Sequence, residues 1–278
     1  QKELCELAAH NFPLLGLNHI AIENADAVSY LKKTKAVDCI YMDPARRDTH
    51  GKKMIRLTDC EPDISELEDM LLTKASKIMV KLSPMLDLSQ ALYALRHTEE
   101  VHIVSVHNEC KELLLMLGSN ATGKESPIHC VNITGEKQDS FVFTHEEEQS
   151  AACTYTDTLE TFLYEPNASV LKAGAFRSIA CRYGINKLHP NSHLYTSNTF
   201  IEDFPGRRFF ITGSCSFSKR EMKELLSGLE KAHITVRNFP ATVEELRKRI
   251  KLHDGGNVYL FATLLTDESK VLIRCEKP

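Results

Sequence analysis

Ile40-Tyr41-Met42-Asp43-Pro44-Ala45-Arg46-Arg47-Asp48 is the stretch on which the fold turns. The run from Val37 to Met42 is mostly apolar and of strand length, so it predicts a strand buried on both faces. Pro44 fixes φ and has no N–H to give to a ladder, so the chain must leave the sheet there. That exit puts Asp43 at the carboxyl edge, where open α/β sheets place their ligands. The Asp43 carboxylate and the Pro44 carbonyl become two acceptors in one turn. Such a pair suits an amino or hydroxyl group that must be aimed at an electrophile. Arg46 and Arg47 follow as donors for a phosphate. An ordinary strand-to-loop turn with an Asx cap would show the same residues.

Working outward, strands and helices alternate. Toward the N-terminus the sequence predicts a helix over 2–11 and a short strand over 18–23. Asp26 is placed to cap a helix over 27–33. Toward the C-terminus it predicts helix 64–73, strand 77–81, helix 88–96, strand 101–107, helix 109–117 and strands 128–133 and 140–144. This alternation implies crossover units and a parallel sheet covered on both faces. Lys81 ends its strand on the same edge as Asp43 and reads as either a solvated terminus or a guide for an anionic substrate. His107-Asn108-Glu109-Cys110 has no second ligand cluster beside it, so no metal is expected. The acidic run Glu146-Glu147-Glu148 marks a linker. A helix over 167–183 closed by Gly184 follows. The end of the chain reads as a βαβαββ unit: strand 208–212, helix 218–232, strand 234–237, helix 242–251, strands 258–263 and 270–275.

Bulk properties narrow the class. No apolar run nears the roughly 20 residues of a membrane span, and no leader opens the chain. Nine cysteines are scattered over 278 residues with no Cys-x-x-Cys pair. This points to a reducing cytoplasm and argues against a structural zinc. The net charge of −4 conceals a split. Residues 1–171 carry 16 Lys/Arg against 27 Asp/Glu (−11), and residues 172–278 carry 18 against 11 (+7). The basic part is where a polyanion would dock, although two differently solvated domains would give the same split. Arg237, Arg247 and Arg249 are its candidate phosphate contacts.

Asn24-Ala25-Asp26, Asp43-Pro44-Ala45-Arg46 and Val80-Lys81-Leu82-Ser83-Pro84 together resemble the middle and end of a class I S-adenosylmethionine-dependent methyltransferase. The run Val236-Arg237-Asn238-Phe239-Pro240, with Asp254-Gly255-Gly256 and Tyr259-Leu260-Phe261-Ala262-Thr263, is similar to bacterial methyltransferases with a THUMP-like C-terminal domain. The resemblance covers essentially the whole chain. It implies a partial doubly wound, Rossmann-like sheet over 1–148, a connecting helical segment over 149–206 and a THUMP-like α/β domain over 207–278. It further implies S-adenosylmethionine as cofactor, with Asp26 and Ala27 at the adenine. Asp43, Pro44 and Arg46 are then the catalytic group, Arg47 and Lys81 bind substrate, and RNA is the partner. Ala45 and Arg46 depart from the family's second proline and aromatic residue, which weakens the case for a base-amino target. They also leave open a non-catalytic RNA-binding adaptor with a degenerate fold. The family's Gly-rich turn and its acidic ribose-binding residue are expected upstream of Gln1, so residues 1–278 alone are expected to bind the cofactor weakly or not at all and to be inactive. Two further strands would then fall between 18–23 and 37–42, splitting the sheet.

Overall fold

The computed structural model describes residues 1–46, 57 and 60–278. The first half begins with helices α1 (Lys2–Leu14) and α2 (Ala27–Lys33), strand β1 (Val37–Met42) and the short strands β2 (Ala45–Arg46) and β3 (Cys60–Glu61). It continues through α3 (Ile64–Lys74), β4 (Ala75–Leu82), α4 (Leu88–Ala94), β5 (Thr98–Val106), β6 (Glu109–Leu117), β7 (Ile128–Thr134), β8 (Lys137–Phe143) and α5 (His145–Ser150). The second half comprises β9 (Phe162–Pro166), α6 (Ala168–Ala173), α7 (Ser178–Tyr183), β10 (Asn186–Lys187), β11 (Tyr195–Ser197), β12 (Gly206–Ser216), α8 (Lys219–Leu225), β13 (His233–Val236), α9 (Val243–Ile250), β14 (Val258–Leu264) and β15 (Lys270–Glu276).

One sheet has the order β1-β4-β6-β5-β7-β8. β1 and β4 are parallel, as are β5 and β7, while β6 runs antiparallel to both β4 and β5. The four strands that run in a common direction therefore end on one edge, the carboxyl edge. Alternation sorts the faces. Ile78, Val80, Leu82, Leu113, Leu115 and Leu117 are buried on one side. Helix α3 packs there through Ile64 and Leu71, both fully buried; each contributes about 2–3 kcal/mol by leaving water. Asp63 caps that helix, accepting from Ser65 N at 3.0 Å.

The other sheet has seven strands in the order β10-β11-β9-β12-β15-β14-β13. The predicted βαβαββ unit is present as β12-α8-β13-α9-β14-β15. Residues 149–206 hold α6 and α7, and they also supply β9, β10 and β11 to this sheet. Tyr164, Val170, Ile179, Tyr195 and Phe204 belong to the same apolar core as Ile78 and Leu113, so the two halves share one core.

Five expectations are corrected. Residues 37–42 are not buried on both faces: β1 is an edge strand none of whose residues is buried, with Val37 and Tyr41 exposed. The sheet is mixed and not parallel, because β6 and β8 run antiparallel to their neighbours. Residues 109–117 form strand β6 and not a helix. His107 and Asn108 take left-handed backbone (φ 49° and 63°), which reverses the chain, and Leu113, Leu115 and Leu117 then reach the core by two-residue alternation. Tertiary pairing overrides a sequence rich in helix formers. Residues 18–23 form no strand; Ile20 is exposed and nothing pairs with the segment. The sheet is accordingly not split, and β1 lies at its edge. The helix expected over 167–183 is two helices, because Gly174 adopts φ +79° at the C-cap of α6.

Candidate active site

At the carboxyl edge β1 and β4 are in register, Met42 opposite Val80, so the next residues of the two strands, Asp43 and Lys81, emerge side by side. Lys81 Nζ lies 2.7 Å from Asp43 Oδ2 and 3.9 Å from Glu112 Oε2, on neighbouring β6. The hydrogen bond to Asp43 holds the ammonium above its usual range, against a smaller opposing effect of desolvation. The two strand ends singled out in the sequence are therefore one ion pair. Lys81 is spoken for by two carboxylates and so is poorly placed to attract an anion. It fixes the Asp43 carboxylate, whose side chain is about half exposed (51%) and keeps acceptor capacity for a further donor. Pro44 is half-buried beside it. Of Arg46 only the backbone, in β2, is described, and Arg47 lies outside the described residues.

Asp26 is exposed and caps α2, accepting from Ser29 N at 2.8 Å. That backbone hydrogen bond is the main cause of its lowered pKa. Ala27 is the first residue of the helix, and Val28 and Leu31 anchor it to the core.

The structure gives the three C-terminal arginines partners of their own. Arg237 donates from Nε (2.9 Å) and pairs through NH2 (2.7 Å) with Glu165 Oε1. Arg207 grips Oε2 of the same carboxylate, Nε at 2.6 Å and NH2 alongside. Arg247 pairs with Asp254 at 2.8 Å, and Arg249 donates to the Phe217 carbonyl and lies over its ring. The exposed cations of this domain are Lys219, Arg220, Lys223, Lys231, Lys248, Arg249, Lys251, Lys270 and Lys277. On the half-exposed face of the first sheet, the rings of His102 and His129 stack at 4.5 Å, and Glu100 Oε2 lies 3.2 Å from His102 Nε2. Among the described residues these three form the one group with the side-chain chemistry of a metal ligand set.

Residues 162–205 match a ferredoxin-like domain family, and residues 206–277 match a THUMP domain-like family. A crystal structure of a candidate methyltransferase from Porphyromonas gingivalis W83 superposes with a TM-score of 0.91 at 42% identity, over 100% of this chain and 70% of that one. The chain belongs to this methyltransferase family. The THUMP-like match over residues 206–277 agrees with the resemblance drawn from the motifs. Two S-adenosylmethionine-dependent methyltransferases of Mycobacterium tuberculosis, strains CDC 1551 and H37Rv, both described as uncharacterized, are 22% identical over 252 residues. That match takes in 88% of this chain and 64% of theirs, so the chain spans less than two thirds of the curated relatives' length.

In this methyltransferase-family chain, sequence reasoning gave no site role to Glu165, Asn108, Asn132 or Asn167. Asn108 stood only in the stretch 107–110 and Asn167 only at the start of the helix expected over 167–183. A better signal was their place at strand ends, next to turns. Glu165 carried a signal too: an acidic residue in the apolar run Phe162-Leu163-Tyr164 needs a buried partner.

Proposed function

We propose that the protein transfers the methyl group of S-adenosylmethionine to a nucleophile of an RNA substrate, oriented by Asp43 and Pro44 and brought to the edge by the basic C-terminal domain. The observation that carries this reading is the Asp43 carboxylate, held by Lys81 at the carboxyl end of β1. An acceptor fixed in this way orients the N–H or O–H of an incoming group without having to reorganise, which is where positioning lowers a barrier. The cofactor would supply an electrophilic methyl group on a sulfonium. The residues present suit it: Asp26 is exposed, and a carboxylate has acceptor capacity beyond the bonds from Ser29, enough for an adenine amino group. The acidic edge also suits a cationic sulfur. In the C-terminal domain nine exposed cations supply salt-dependent attraction to phosphates.

Isothermal titration of the full-length protein, upstream segment included, with S-adenosylmethionine should give heat, and labelled cofactor should pass label to bulk RNA. Asp43→Ala should abolish the label while leaving cofactor heat unchanged. Absence of heat at near-millimolar cofactor would overturn the reading. RNA binding without any label from the wild-type protein would favour the adaptor.

A further inference from the structure

A second polar feature lies on the same edge as Asp43. The carboxyl ends of β5 and β7 and the first residues of β12 enclose a cleft of about 320 Å³, lined by His107, Asn108, Asn132, Asn167 and Arg207, among others. Most of its polar atoms are committed. Asn108 Oδ1 accepts from Ala168 N at 2.7 Å, and Asn132 Oδ1 accepts from Ser105 Oγ and Asn108 N, both at 2.9 Å. Asn167 caps α6, its Oδ1 accepting from Val170 N (3.2 Å) and Ser169 Oγ (2.7 Å). A main-chain amide only donates, so the Val170 contact settles which amide atom of Asn167 is oxygen. The other atom, Nδ2, is buried without a partner, in a residue that is 2% exposed. A buried donor with no acceptor is rare and calls for an explanation. A ligand oxygen in the cleft would provide one.

The chemistry around the cleft narrows the ligand. Gly206 and Arg207 also line a neighbouring cleft of about 430 Å³, together with Arg208, Lys277, Glu202, Phe200 and Phe209. That neighbour has three cationic side chains against the Glu202 carboxylate, and two aromatic rings. The cleft around Asn167 is close to neutral, because Glu165 offsets the Arg207 charge and Asp139 stands at its rim. Arg207 thus divides a place for an anion from a place for an uncharged hydrogen-bonding group. A nucleotide has this division built in, whereas a peptide does not.

We propose that the cleft around Asn167 receives a base of the RNA substrate through a carbonyl oxygen that accepts from Asn167 Nδ2, with the adjoining phosphates lying across the Arg207–Lys277 cleft. This rests on the RNA reading above and goes on to name a subsite. Uracil presents such carbonyls, and adenine has none.

The test is fluorescence anisotropy with oligo(U) and oligo(A) of equal length on the intact protein. Wild type should bind oligo(U) about tenfold tighter, the worth of one satisfied buried donor. Asn167→Asp keeps a good N-cap but replaces the donor with a carboxylate. It should erase the preference, with the melting temperature reading separately what the buried carboxylate costs the fold; Asn167→Ser, which keeps a good N-cap without the charge, should also erase the preference and leave oligo(A) binding unchanged. Lys277→Gln should weaken both oligonucleotides equally and lower the salt slope by about one. Binding without base preference, or a preference that survives Asn167→Asp, overturns the subsite while leaving the RNA reading intact. No binding to either oligonucleotide overturns both.

Discussion

Replacing Glu165 by glutamine tests how the second sheet is tied together. The carboxylate is almost completely buried, and it accepts from two guanidinium groups, each gripping one oxygen with two nitrogens. Glutamine keeps the size but presents an NH2 to one of the two arginines, so two of the four charge-assisted bonds are lost. At about 1.5–3 kcal/mol for each such bond, the gross loss is roughly 3–6 kcal/mol. The guanidinium groups are a little over a third exposed (38% and 37%), so water recovers part of it. The expected cost is about 3–4 kcal/mol, in the range for breaking a buried pair by removing one partner. Urea unfolding followed by near-UV circular dichroism, which reports the tyrosines of this half, would measure it. A loss below about 1 kcal/mol would refute the view that this cluster holds β9, β12 and the end of β13 together. The same substitution removes one negative charge beside the Arg207 cleft, so RNA affinity at low salt should rise as stability falls.

Three further outcomes follow from the geometry. Lys187 is buried, and desolvation is the main cause that lowers its pKa to about 8. The unfolded chain binds the extra proton between that value and 10.5, so this residue's destabilising effect is full below pH 8 and fades as pH rises through the window. Lys187→Met should then be more stable than wild type by up to about 3 kcal/mol at pH 7, with the advantage shrinking by pH 10.5 in paired denaturant titrations; a constant gap would contradict it. Gly206→Ala would drive a methyl group into the Glu165 carbonyl of the paired strand, and a thermal scan should show a loss of more than about 2 kcal/mol. Thr242→Ala removes the side chain that accepts from Glu245 N in the capping box of α9; about 1 kcal/mol should be lost in the same scan.

What the sequence made legible was local. The strand over 37–42, the Pro44 exit and the βαβαββ order at the end of the chain each depend on a few adjacent residues, whereas the burial expected of that strand depends on its neighbours and is absent at the sheet edge. The run Glu109–Leu117 was not legible as a strand, because its residues favour helix one by one and only the reversal at His107-Asn108 commits them to a sheet. Residues 18–23 had strand-like composition but nothing to pair with. At the candidate site, Asp43 and Lys81 could be named separately. Their pairing needed the parallel register of β1 and β4. The basic patch misled in a different way: a charge tally counts Arg237 and Arg247 as free, while the fold brings Glu165 to Arg237 from 72 residues away and the turn after α9 brings Asp254 back to Arg247.

The seven-stranded sheet crosses the junction at residues 205 and 206 where two domain families meet, because β9 on one side is hydrogen-bonded along β12 on the other. Severing the polypeptide at that seam would open an interior sheet down its middle. Lineages that exchange or discard parts of this protein must therefore move both families as a single cassette, and a fusion carrying the last segment alone would arrive with raw, adhesive edges.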